Sequence, residues 1–428
     1  MLRAGAACLD ITPPLGAPLR GFFHERRARA VHDPLYVRSF ALEQDGAGIA
    51  IAVCDLIGVR RAYLDRAKAR ILETVGLAPE RVLICCTHTH TGPETGDDPY
   101  TEFLIGRIAD AVRLAWDRRA PVEAGWGRAG EPRVAFNRRY RMRDGTVQTN
   151  PGIGNPDVVE PAGPIDPEVG VLCLRRPDGH ALGLLANYAL HYVGTPDAEY
   201  AISADYFGMF SQLIQRLRGE AFVAALCNGA SADINNIDVL GGRRPPNDRY
   251  QHVERVAALI AAAALWAWNE MPFVSDAPIG AAHTEVTVRR REPPSEADVT
   301  RAQQIEARLA AGERVLMGER AFARRVLRQM RDLPGELSTW VQALRVGDLA
   351  LVGVPGELFV ELGLEIKRRS PFGQTMVIEL ANDSIGYIPT VRAFQEGGYE
   401  PEASVLAPGE GERIVETALA LLEQLWQK

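Results

Sequence analysis

Short apolar runs rich in β-branched residues recur along this chain, separated by longer stretches whose apolar residues fall at helical spacing, and that alternation limits the fold to the mixed α/β class. Strands are expected at 35–42, 49–54, 82–86, 169–174, 182–188, 222–227, 283–288, 341–346, 349–354 and 376–380. Helices are expected at 61–74, 100–117, 207–217, 251–268, 296–310, 319–331, 357–368 and 410–427. The reading is a mixed β-sheet core flanked by helices, with no internal repeat at solenoid or propeller period. Residues 143–167, rich in Asn, Pro, Gly and Asp, read as a long loop or lid near a site. Residues 293–334 read as a helical excursion, centred on 295–332 and punctuated by Pro293, Pro294 and Pro334, that covers one side of the core or forms a subunit contact in a homo-oligomer. The expected organisation is a single domain over 1–428 carrying that insertion.

Composition narrows the function. The 428 residues carry 48 basic and 55 acidic side chains, a net charge of −7 with no long run of either sign, which disfavours nucleic acid or an anionic membrane as partner. The local cluster Arg138, Arg139, Arg141 and Arg143 reads as a solvated face. Residues 1–12 lack the features of a secretion signal, and the apolar stretch 256–268 is too short to span a bilayer, so a cytoplasmic protein is expected. Cys8, Cys54, Cys85, Cys86, Cys173 and Cys227 form no CxxC pair and read as reduced core thiols.

The sharpest local signal is Thr87-His88-Thr89-His90-Thr91-Gly92-Pro93 directly after the run 82–86. Two histidines at i and i+2 on an extended strand end face the same side, which is a metal-site arrangement, and imidazole is the commonest protein ligand for zinc. The plainer alternative is a polar turn. His191 follows another apolar strand, and Asp205 stands at a helix start, either as an N-cap or as a carboxylate orienting a ligand histidine. Ser231, in a small-residue turn after 222–227, is a possible nucleophile, but its surroundings are not the GxSxG elbow. Glu357 sits in Pro355-Gly356-Glu357, at a helix N-terminus or in a site, and Tyr387 and Tyr399 each stand beside glycine. Together these pieces suggest a metal hydrolase.

Their order resembles the neutral (alkaline, non-lysosomal) ceramidase family, in its N-terminal catalytic domain. The matching segments are Asp10-Ile11-Thr12-Pro13-Pro14, Leu35 to Phe40, Cys54-Asp55-Leu56, the Thr-His-Thr-His-Thr-Gly-Pro run, Asn137-Arg138, His191, Ile202 to Asp205, Asn228-Gly229 with Asp233, Pro355-Gly356-Glu357, and Tyr387 with Tyr399. They span about Ala4 to Glu400. The resemblance implies the ceramidase catalytic-domain fold and one zinc per chain held by His88, His191, Glu357 and Tyr387, with His90, Arg138 and Tyr399 on the substrate side. It implies hydrolysis of an amide bond. Two departures shift the expected substrate toward a soluble small-molecule amide: Asn235 stands where the family has a serine contacting the lipid headgroup, and no C-terminal immunoglobulin-like domain is expected. A ceramide or N-acyl lipid amidase, a non-catalytic metabolite- or partner-binding descendant, and a metal-free serine hydrolase using Ser231 are the alternatives.

Overall fold

Three β-sheets share their inner faces and turn their outer faces to helices. The computed structural model describes residues 1–193, 200–241, 248–330 and 335–427. The first sheet runs Val82–Cys86, Ala47–Cys54, Tyr36–Gln44, Arg3–Asp10 and Ala120–Pro121 in spatial order; the second runs Val223–Asn228, Ala181–Tyr188, Glu168–Arg175 and Glu123–Gly130. The third runs Gln374–Ile378, Leu349–Gly353, Glu336–Val346 and Ile279–Arg289. The helices are α1 (Arg61–Val75), α2 (Pro99–Asp117), α3 (Asp205–Arg218), α4 (Arg249–Glu270), α5 (Glu296–Ala310), α6 (Met317–Gln329), α7 (Val360–Arg369), α8 (Val391–Glu396), α9 (Tyr399–Ala403) and α10 (Glu410–Trp426).

The same unit occurs three times. In each sheet three successive long strands pair antiparallel, and a fourth returns parallel to the third. The crossovers contain α1, α3 and α7, and the helices that follow, α2, α4 and α10, cover the antiparallel halves. A parallel return needs such a crossover, because a tight hairpin can only reverse the chain.

Strand alternation sorts the core into layers. Leu83 and Cys85, Leu185, Ala225 and Cys227, and Leu351, Met376 and Ile378 meet at the centre. Their sequence neighbours Ile84 and Cys86 pack with α1 and α2, Ala186 and Leu226 with α3 and α4, and Val352 and Val377 with α7 and α10. Period 2 along the strands and 3.6 along the helices produce this arrangement. Cys85 and Cys86 do point opposite ways, but each into a dry core, and Cys85 Sγ lies 3.7 Å from Cys227 Sγ. All six cysteines are free, and five are buried.

Most expected elements are present with small boundary shifts. The strands Arg3–Asp10 and Glu123–Gly130 were not expected; their Gly, Ala and charged residues give little apolar signal, and pairing with a neighbouring strand holds them. Residues 143–167 do not form a structureless loop: Val147–Thr149 and Val158–Pro161 flank Arg139–Met142 in a three-stranded sheet. The helical excursion is α5 and α6, with a small core of Ala302, Ile305, Phe322, Ala323 and Val326, and α6 packs on α9. Its expected end, 331–334, lies outside the described residues. Among the described residues no helix is long and apolar enough to cross a membrane.

Lys68 on α1 is buried without a hydrogen-bond partner for Nζ, which lies 4.3 Å from the Trp340 ring centre. Burial lowers its pKa to about 7. The unfolded chain therefore binds the extra proton between pH 7 and about 10, so the cost of this ammonium is full below pH 7 and disappears as pH rises through that window. Lys68→Met should raise unfolding stability at pH 6 to 7 by roughly 1–3 kcal/mol and leave it little changed at pH 10. Urea unfolding of both proteins at the two pH values measures this; an equal change at both would refute it.

Candidate metal centre

The C-terminal ends of the parallel strands from all three units converge. Cys86 N donates to Leu380 O, Glu379 N to Asn228 O, and Asn382 N to Ile84 O at 2.7 Å. Ligands in α/β proteins gather at such strand ends. Each unit supplies one member of the expected donor set: His88 from the first, His191 from the second and Glu357 from the third.

His88 is not on an extended strand end as expected. The strand stops at Cys86, and His88 has φ +71°, with its N–H donating to Leu56 O at 2.8 Å. This left-handed backbone is unusual for a non-glycine residue and occurs preferentially where a site requires it. The rings still converge. His88 Nδ1 lies 2.7 Å from Ile57 O and His90 Nδ1 lies 2.8 Å from Gly21 O. A carbonyl can only accept, so each Nδ1 carries hydrogen, and each neutral ring turns a lone pair outward on Nε2.

Those two Nε2 atoms are 3.3 Å apart. Glu357 Oε2 is 3.4 Å from His88 Nε2 and 3.7 Å from His191 Nδ1, and neither Oε2 nor His191 Nδ1 has a hydrogen-bond partner. Donor atoms of His88, His90 and His191 all lie within 4.8 Å of one another, buried. Burial, followed by the charge of His88, pushes His90 well below the usual imidazole range; burial and then Arg138 do the same to His191. Burial also opposes charge on His88, but Glu357 outweighs it and the net shift is upward. Burial raises Glu357, yet His88, Arg138 and Tyr387 outweigh it and hold the carboxyl low. Uncompensated acceptors facing one dry space fit a cation: zinc with arms of about 2.0–2.1 Å sets tetrahedral ligands about 3.3–3.4 Å apart. Backbone carbonyls on the far ring nitrogens are the usual outer support of metal-binding histidines.

Glu357 does not begin a helix. Glu357–Leu358 pairs parallel with Tyr387–Ile388 in register Glu357↔Tyr387, and α7 starts only at Val360. The expected fourth ligand is thereby held beside the carboxylate. Arg138 Nη2 donates to the Tyr387 hydroxyl at 3.2 Å, and the Tyr387 and Tyr399 rings are 5.6 Å apart, edge to face. All seven expected site residues thus lie in one connected group.

The arginine cluster is a solvated face only at Arg143, which is exposed. Arg138 and Arg139 are buried because acids oppose them: Arg138 Nε donates to the fully buried Glu400 at 2.7 Å, and Arg139 and Arg141 pair with Glu396. Asp233 secures the turn before Arg138, accepting from Asn137 Nδ2 and from Val360 N, both at 2.9 Å. Asp205 is the first residue of α3 rather than its N-cap, and its carboxylate accepts from Thr89 Oγ1 at 2.8 Å, between the two histidines. The Asn235 amide donates to Asn150 Oδ1, and Asn235 Oδ1 accepts from Ile237 N. Ser231 Oγ donates to Glu379 at 2.7 Å, a carboxylate rather than an imidazole, which gives no nucleophile–base pair.

Two contributors escaped the sequence reading. Glu379 is fully buried and accepts from Asn228 Nδ2, Ser231 N and Oγ, and Leu358 N; burial raises its pKa to about 8. Arg26, also buried, donates to His90 O at 2.8 Å and to Arg20 O at 2.7 Å, tying the Gly21 turn to the histidine run. A glutamate one residue after an apolar strand and an arginine in a charged segment carry no distinguishing local pattern.

Gly356 is a steric requirement of this centre. A Cβ there would lie 2.5 Å from Gly386 O and 3.0 Å from Ile385 and Ile388 side-chain carbons. Gly356→Ala is therefore expected to cost about 1–3 kcal/mol of stability and, by parting Glu357 from Tyr387, to weaken any metal binding at this centre about tenfold or more. Urea unfolding and titration against a competing chelator would measure both; unchanged values would refute the assignment.

No protein-family model matches the chain. Neutral ceramidase from Pseudomonas aeruginosa is 23% identical over 253 residues, covering 54% of this chain and 36% of the relative, so the match spans about a third of that protein's length. A crystal structure of neutral ceramidase from the same organism superposes with a TM-score of 0.77 at 18% identity, covering 99% of this chain and 75% of the other. A ceramidase complexed with C2 gives the same TM-score and identity over 100% of this chain and 75% of that one. The chain is thus similar to a neutral ceramidase in sequence over about half its length, and it has the neutral ceramidase fold along nearly its whole length.

Proposed function

We propose that the protein is a zinc-dependent hydrolase of an amide bond in a soluble N-acyl small molecule. The observation that carries this reading is the buried set of acceptors made by His88 Nε2, Glu357 Oε2 and His191 Nδ1, with the His90 Nε2 lone pair facing it at 3.3 Å from His88 Nε2. His88, His191, Glu357 and Tyr387 would hold the ion. Bound zinc supplies Lewis acidity and brings the pKa of a water toward ~7, which provides a nucleophile at neutral pH.

The protein's own groups account for the remainder. His90, neutral and anchored through Nδ1, presents Nε2 for moving a proton to the leaving amine. Arg138, fixed by Glu400, and Tyr399 offer preorganised donors to the oxyanion of the acyl carbon, where one such donor contributes ~2.7–4 kcal/mol. Burial pushes the Tyr399 hydroxyl up from its ordinary range, so it remains a donor near neutral pH.

Metal analysis and hydrolysis of N-acyl substrates from short to long chain test the reading. His88→Ala and His191→Ala should lose both zinc and rate, whereas His90→Ala should retain zinc and lose about 10²–10⁴ in rate. Loss of zinc in His90→Ala would make His90 a ligand instead. Preference for long acyl chains would favour an N-acyl lipid, and metal without turnover on any amide or ester would favour a binding protein. Activity indifferent to chelation would overturn the metal mechanism.

A further inference from the structure

The α5–α6 insertion brings basic residues to the outer side of Tyr399. Arg320 and Arg324 stand one turn apart on α6 and so share a face. Their guanidinium carbons lie 4.4 and 5.0 Å from the Phe23 ring centre, and Arg324 Nη2 donates to Phe23 O at 3.2 Å. Phe23 in turn meets Tyr399 edge to face at 6.0 Å. Among the described residues no carboxylate oxygen lies within 4.0 Å of either guanidinium, although ion pairs satisfy many other arginines, including the neighbouring Arg325 with Glu402.

Beside this pair lies a cavity of about 530 Å³, lined by Phe23, Arg324, Arg325, Arg328 and Tyr399, with Glu306 the only acid among the described residues that line it. An exposed arginine on a surface helix is ordinarily just solvated. Here the Phe23 ring holds two guanidiniums, neither has an acid partner among the described residues, and the cavity that Phe23 and Arg324 line shares Tyr399 with the reacting centre. Guanidinium is also the side chain suited to planar, two-pronged recognition of carboxylate.

We propose that Arg320 and Arg324 form an anion subsite of the substrate pocket, selecting N-acyl substrates whose end remote from the scissile bond carries a carboxylate. This rests on the hydrolase reading for the word substrate, but its test does not need turnover. Zinc-loaded protein is titrated calorimetrically with matched monocarboxylates and dicarboxylates, from hexanoate and adipate to decanoate and sebacate. Both members of each pair bring one carboxylate to the centre, so the difference reports the second.

The wild-type protein should bind at least one dicarboxylate about tenfold more tightly than its partner, and raising salt to about 0.5 M should shrink that advantage. Arg320→Gln/Arg324→Gln should abolish the advantage while leaving monocarboxylate binding within about twofold, and Arg320→Lys/Arg324→Lys should retain part of it. Arg216→Gln, which removes a charge on α3, should change nothing; thermal melts of each variant establish that it is folded. Equal binding of all pairs by the wild type, or an advantage that survives the double glutamine variant, overturns the proposal. A dicarboxylate advantage without hydrolysis of any amide or ester leaves the anion subsite standing and overturns the hydrolase reading alone.

Discussion

Two imidazole nitrogens forced to face each other across 3.3 Å set the terms for the rest of the structure. The arrangement exists because Ile57 O and Gly21 O fix the far nitrogens, leaving both rings no neutral form that avoids the confrontation. Supporting the two carbonyls takes much of the surrounding fold. Arg26 ties the Gly21 turn to the His90 backbone, and Gly21 itself has φ +113° with room for no side chain, since a Cβ would lie 2.9 Å from the His90 ring. Thr89 is locked from behind by Asp205 and Ser203 O. The geometry is held by backbone and buried hydrogen bonds, not by mobile surface groups.

Where three sheets end together, backbone and side-chain polar groups lose water at the same place, and each needs a partner. Glu379 answers this for the second and third units, with two oxygens accepting four hydrogen bonds from Asn228, Ser231 and Leu358. All four partners donate, so the arrangement suits an ionised carboxylate, while burial favours the neutral acid and pushes its pKa up. Asp233 does comparable work between the Asn137 turn and α7. Small residues of 228–236 and 379–386 are therefore spacers and hydrogen-bonding partners at a crowded junction as much as substrate contacts.

Much of this was legible in the sequence. Ten of the twelve long strands of the three sheets, the helices and the histidine run follow from period-2 and period-3.6 apolar patterns, which local chemistry determines. The strands Arg3–Asp10 and Glu123–Gly130 were invisible because their place depends on neighbours rather than on apolar content. The left-handed turn at His88 could not be read because nothing local favours it; Leu56 O and Ile57 O, brought in from another strand end, hold it. Pairing of Glu357 with Tyr387, thirty residues away, is likewise tertiary. The Arg138 cluster was misread because its acids, Glu396 and Glu400, lie more than 250 residues along the chain. Motif order supplied what spacing could not, since His88, His191 and Glu357 come from three different units and lie far apart in sequence.

The threefold unit has a thermodynamic consequence. With His88, His191 and Glu357 of the proposed centre each delivered by a different sheet, no one sheet holds all three, and a partly folded intermediate with one or two sheets would have little affinity for an ion there. Ligand binding of this kind stabilises the complete native state by RT ln(1 + [M]/Kd) and leaves incomplete states behind. The ion would then act as a long-range cross-link that makes unfolding of the three sheets more nearly all-or-none. Local fraying of any sheet near its strand ends would be felt by the other two as metal release.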